Sequence, residues 1–166
     1  VAADKLDRLG VSQAVAEMLQ ADTTVLYGSG KLLQVIDYGI ENFEKTKVNT
    51  QRPFGMYLAA EIEDSQEIRS QNEYINYLIN IRFAAHQRSL QNAYSAIDNA
   101  YERVKYLVND QMWTGQMMSL YNNDTNAQIF NIEPTGSDLD TPEETEGNLL
   151  RVNIDGAILV EVAKWK

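Results

Sequence analysis

Gly28-Ser29-Gly30-Lys31 is the stretch of this chain closest to a phosphate-binding loop. Such a loop cradles phosphates on glycine backbone amides, reaches the outer phosphates with its lysine and holds magnesium with a following Ser or Thr. Here Val25 stands where the first glycine is required and Leu32 where the hydroxyl is required, so nucleotide chemistry has no support. Asp138, Asp140, Glu143, Glu144 and Glu146 supply enough carboxylates for a calcium ion. A calcium loop of the helix-loop-helix type needs alternating ligands, a central glycine and a closing glutamate. Pro142 and the spacing do not match, so residues 134–148 read as a solvated acidic loop. Facing a DNA channel, such a loop would repel phosphates rather than grip them.

His86 is the only histidine, set at a strand-to-helix junction beside Gln87 and Arg88. Every Ser/His/Asp set would have to use it, and a lone histidine there reads as structural. Acidic residues are plentiful, yet spacing singles out no carboxylate pair. The chain has no cysteine, which removes disulfides, thiolate nucleophiles and cysteine zinc sites. The sequence therefore nominates no catalytic, cofactor-binding or metal-ligating residue, and the expectation is a protein that is not an enzyme.

A net charge of −10 opposes nucleic-acid binding through phosphate neutralisation and suits a surface that must not stick to DNA. With 166 residues, 44% of them hydrophobic, one domain with a real core is expected over residues 1–166. No stretch reaches the length of a membrane span and no signal peptide is visible, so synthesis in the cytoplasm and no membrane partner are expected.

Periodicity supplies the elements. Asp4 to Gln20 predicts a helix, with Leu6, Leu9, Val15, Met18 and Leu19 sharing a stripe. Val25-Leu26-Tyr27 reads as a short strand, and residues 28–48 as an arm or loop. Phe54 to Ile62 and Ile75 to Phe83 read as an antiparallel strand pair, with Glu63 to Asn72 as the hairpin loop between them. Arg88 to Asn109 carries the clearest helical spacing, with Ser89 as N-cap. Strands are expected at Gln116–Tyr121 and Ala127–Ile132. Tyr74, Tyr77, Phe83, Tyr94, Tyr101 and Tyr106 fall mostly on stripes expected to be buried.

The closing segment alternates over an unusual length. Leu150, Val152, Ile154, Gly156, Ile158, Val160 and Val162 define one face, and only Ala157 and Leu159 break the polar face between them. Such a ribbon either crosses the whole body or overhangs it, and an overhanging strand offers unpaired backbone groups to another chain. Leu150, Val152, Ile154, Ile158, Val160 and Val162 are therefore candidate interface residues. Trp165, between Lys164 and Lys166, is a further anchor candidate. The fold class expected is α+β: an antiparallel sheet with a long helix packed across it and an extended C-terminal strand.

The order of these pieces resembles the tail terminator (tail completion) proteins of long-tailed bacteriophages. The resemblance rests on a leading helix, a Pro-preceded strand (Arg52-Pro53-Phe54-Gly55-Met56-Tyr57-Leu58) and a long alternating strand, Tyr74 to Phe83. It continues through a helix ending Leu107-Val108-Asn109-Asp110, a short hairpin, an acidic insertion and a terminal strand from Arg151-Val152-Asn153-Ile154. It implies a structural virion protein: a homo-oligomeric, hexameric ring that caps the tail tube and joins it to a neck or head connector protein. DNA would pass through the lumen without specific binding, and Asp138, Asp140, Glu143, Glu144 and Glu146 are the candidate lumen or acidic-loop residues. No cofactor is implied. The alternatives are another neck, head-completion or connector subunit, or a small acidic monomeric binding module.

Overall fold

Period-two alternation in two long segments builds the centre of this molecule. The computed structural model describes residues 5–33, 36, 55–68, 72–87, 89–113, 123–139, 143–144 and 150–165. In chain order these form α1 (Arg8–Gln20), β1 (Gly55–Ile68), β2 (Asn72–Gln87), α2 (Leu90–Trp113), β3 (Ala127–Leu139), β4 (Glu143–Glu144) and β5 (Leu150–Trp165). The fold is α+β. Its sheet is antiparallel, in the order β1-β2-β5-β3, with β4 paired to β5.

β5 lies inside the sheet, so of the two alternatives, crossing the body or overhanging it, the ribbon takes the first. β2 pairs with it from Leu150 to Trp165, and β3 pairs with its other edge from Ile154 to Lys164. β4 continues that second edge at Leu150 and Arg151. The physical reason is matched length. β2 and β5 both have 16 residues, about 50 Å of extended chain at roughly 3.3 Å per residue, so the ribbon crosses the body on a partner as long as itself. Its even-numbered residues face inward. Val152, Ile154, Ile158, Val160 and Val162 are buried in the chain's own core, so these interface candidates are reassigned to packing. Leu150 pairs through its backbone with Gln87 and Glu144.

Cross-strand rows explain the core. Ile75, Val162 and Ile129 stand side by side, as do Tyr77, Val160 and Ile132. Ile79 meets Ile158, and Phe83 meets Ile154. All are buried, and α2 lies over this face against β2, β3 and β5. Gly156 interrupts the apolar row for a reason. A Cβ there would sit 2.9 Å from Tyr101 Cε2 on α2. Glycine lets that ring approach, pack edge-on against Phe83 at 5.7 Å and donate its hydroxyl proton to the Gly136 carbonyl at 3.0 Å.

The helices begin where the sequence offers caps. Asp7 accepts the Gly10 amide at 2.8 Å, and Ser89 Oγ accepts the Asn92 amide at 3.4 Å. Most of α1 is buried, and the Tyr77 hydroxyl donates to the Leu6 carbonyl at 3.2 Å. Leu9 departs from its expected stripe and is 62% exposed.

Other boundaries move. β1 and β2 stay paired from Asp64↔Asn76 to Ile68↔Asn72, so the expected loop at Glu63–Asn72 is mostly strand. Val25–Tyr27 forms only a bridge from Tyr27 to Leu33. The expected acidic loop also shrinks, because Pro134 to Leu139 continue β3 and Glu143–Glu144 are β4. The strand expected at Gln116–Tyr121 lies outside the described residues, as does 28–48 beyond Leu33 apart from Ile36.

Candidate interaction surface

The helices cover one face of the sheet, and the exposed aromatics Tyr74, Phe130 and Trp165 lie on the other. On β2 this outer face carries Tyr74, Asn76, Leu78, Asn80 and Arg82. On β5 it carries Asp155, Ala157, Leu159, Glu161, Ala163 and Trp165. Strand alternation dictates both sets. Ala157 and Leu159, the two residues that broke the polar pattern of β5, belong here and are half-buried.

A bulge adds the third strand's contribution. Ile129 and Phe130 are adjacent apolar residues, and a regular strand would place them on opposite faces and send Ile132 outward with Phe130. The register shift between Ile129 and Asn131 resets the parity, so Ile129 and Ile132 are both buried. Phe130 is left on the outer face, where its ring meets Tyr74 edge-on at 5.8 Å. Such a pair contributes about 0.5–1.5 kcal/mol beyond the area it buries. It reaches across β5 above Ala163, whose small side chain leaves the room.

Tyr74 is 37% exposed, Phe130 52% and Trp165 41%. Trp165 ends β5 opposite Asn72, diagonal to Tyr74, and its amide donates to the Asn126 carbonyl at 3.0 Å. The backbone of Trp165 is thus held by its own domain while its indole stays open. Polar groups frame the patch. Glu161 stands between Asn76 and Asn131, and Glu133 stands opposite Leu159. Toward the far end Arg82 grips Asp155 through two bonds, at 2.6 and 3.0 Å, which neutralises that row.

The sequence-nominated residues distribute unevenly over this map. Trp165 is on the surface. Asp138 is on β3 opposite Asp155, Glu143 is opposite Arg151 and Glu144 opposite Leu150. Asp140 and Glu146 lie outside the described residues. Tyr74 and Tyr106 are exposed, against the expected burial, while Tyr77, Phe83 and Tyr101 are buried. Sequence reasoning missed Tyr74 and Phe130 as surface residues. The available signals were the doublet Ile129-Phe130, Leu78 set between Tyr77 and Ile79, and the apolar odd positions Ala157 and Leu159 on β5.

The glycine-lysine stretch has a local structural explanation. Gly28 to Leu33 form a tight turn in which Gly30 has φ of 77°. Lys31 folds back so that its Nζ donates to the Thr24 carbonyl at 3.1 Å. Among the described residues no three metal-ligating side chains gather. The clearest perturbed acid is Asp22, at the end of α1. Arg103 on α2 holds it with two bonds of 2.8 and 3.0 Å, and the guanidinium hydrogen bonds draw its carboxyl below the usual carboxylate range. This pair clamps α1 to α2. Compared with known proteins, the chain matches no family model and no curated protein sequence.

Proposed function

We propose that this chain is a structural subunit that works by assembly: a ring that caps the tail tube of a long-tailed bacteriophage and joins it to a neck or head connector protein. The observation that carries the proposal is the open sheet face with Tyr74, Phe130 and Trp165 exposed together. Aromatic residues held on a rigid sheet are the kind of anchors that partner surfaces bury. The order of elements supports the same conclusion: a leading helix, a long antiparallel strand pair, a long helix across the sheet and a long terminal strand resemble tail terminator proteins.

The interface differs from the one that the alternation alone points to. β5 has both backbone edges occupied, so it cannot stitch neighbours together by strand addition. β3, at the margin of the sheet, is interrupted by two register shifts and by Pro134, which removes a ladder donor. Such features blunt an edge against strand pairing. Contact through the face is therefore favoured over contact through that edge. A ring needs two different surfaces on every subunit, one for each neighbour. Its lumen would pass DNA, and the chain's −10 charge would keep phosphates from adhering.

Mixing the purified chain with tail tubes tests the function. Capping predicts density at one end of each tube by electron microscopy and an end to further subunit addition. Tubes that stay bare and keep growing would contradict it. Binding instead to isolated connectors would move the chain to a head-completion role.

A further inference from the structure

We infer that the outer aromatic face of one copy receives the start of α1 from the next, with Leu9 as the apolar knob and Lys5 and Arg8 meeting Glu133 and Glu161. This inference rests on the ring proposed above and names the contact that would close it.

Three local choices at the start of α1 run against the helix's own interest. Leu9 is largely exposed on a helix that is otherwise mostly buried. Arg8 occupies the first helical position, where the helix dipole disfavours a cation, and no acidic residue stands in the first turn. Lys5, just before it, is also exposed. Local costs gathered at one point mark a functional site more often than a packing need. The carboxylate between them, Asp7, is engaged as the cap on the Gly10 amide.

The outer face offers the complement. Tyr74, Phe130, Leu78, Leu159 and Trp165 supply apolar area, and the carboxylates beside them are Glu161 and Glu133. Among the residues whose side chains are described, the cation on this face is Arg82, already bound to Asp155. Lys164 belongs to the even-numbered, inward-facing set of β5. Two copies laid outer face to outer face would oppose carboxylates, whereas knob to face pairs unlike charges.

Position favours a contact between copies. The start of α1 is tied to the helix-covered side of the sheet, through Tyr77 and through the Leu6 amide, which donates to Asp124 at 3.2 Å. The aromatics lie on the opposite side. A knob on one side and a socket on the other make a front-to-back, heterologous contact, the kind that closes into rings.

Charge reversal tests the pairing. Lys5→Glu/Arg8→Glu makes every knob acidic, and Glu133→Lys/Glu161→Lys makes every socket basic. Each variant alone should stay folded by circular dichroism, because Lys5 and Arg8 are exposed, Glu133 and Glu161 are half-buried on the face away from the helices, and Arg8→Glu suits the helix dipole. Each should raise the concentration needed for half-assembly by about tenfold or more. An equimolar mixture of the two should assemble as alternating copies, because each acidic knob then meets a basic socket and each basic knob an acidic one. Folded variants that assemble alone like the parent chain, or a mixture that stays dispersed, would overturn this contact while leaving the ring itself standing. A parent chain that never assembles, alone or on tail tubes, would instead remove the ring.

Discussion

Gly156 shows how one residue sets the distance between layers. Alanine there would put a methyl group 2.9 Å from the Tyr101 ring, which is already fixed by Phe83 and by the Gly136 carbonyl. We predict that Gly156→Ala lowers stability by about 1–3 kcal/mol, read as a shift of the urea midpoint, the range for overpacking a close-packed core. The Asp22–Arg103 pair makes a pH-dependent contribution. Asp22 is 9% exposed and Arg103 26%, so screening is modest. Asp22→Asn should lower stability by about 1.5–3 kcal/mol at neutral pH, the worth of hydrogen bonds to a charged group. The sign follows from the depressed carboxyl pKa. Its contribution is complete above the unfolded value of 3.8 and is lost as pH falls through the folded value. Denaturation of parent and variant should therefore differ at pH 7 and converge in strong acid. A constant difference across that range would mean that the pair acts through packing alone. Trp165 contributes at the surface: Trp165→Ala should leave the unfolding midpoint within about 0.5 kcal/mol and weaken assembly. Unchanged assembly would retire it as an anchor.

At the scale of elements, β5 is the strand on which the sheet depends, since β2, β3 and β4 all pair with it. Ending the chain after Asn148 should yield an aggregating product with no cooperative unfolding transition, because β2, β3 and β4 lose their shared partner. A soluble truncated chain that melts cooperatively would show that β5 is dispensable. The alternation of β2 and β5 and the helical spacing of α2 were legible because burial on one face repeats at every second or every third to fourth residue. Strand neighbours were less legible. Alternation in Leu150–Val162 reports which face is wet and says nothing about whether either backbone edge is occupied, so a central strand and an overhanging one read alike. Pro134 to Leu139 looked like loop because Pro134, Gly136 and Asp138 carry turn composition, yet at the margin of a sheet those residues bulge within a strand. Part of the candidate surface was likewise present in the sequence: Ala157, Leu159 and Leu78 broke a polar face. Phe130 needed the bulge, for which the adjacent apolar pair Ile129-Phe130 was the local signal, although the pair alone does not say which of the two faces outward.

At the scale of the whole molecule, the sheet has one face sealed by helices and one face with exposed aromatics, while the helix start opposite carries a basic and apolar knob. That asymmetry suits a part that is placed between others. In the proposed ring the −10 charge of each copy would keep DNA from adhering, where a basic surface would bind it, and the contacts between copies would have to overcome the repulsion of like charge. A particle assembled through ion pairs at the rim of an aromatic contact should also loosen as salt rises, while the apolar core of that contact is strengthened by sulfate.

Light scattering coupled to size exclusion tests the central claim most directly, on the chain alone and on the chain recovered from tail tubes. Self-assembly predicts a mass several times the 18.8 kDa of one copy in at least one of these states. A species that remains at 18.8 kDa at every concentration, and that tail tubes neither bind nor multimerise, would contradict it.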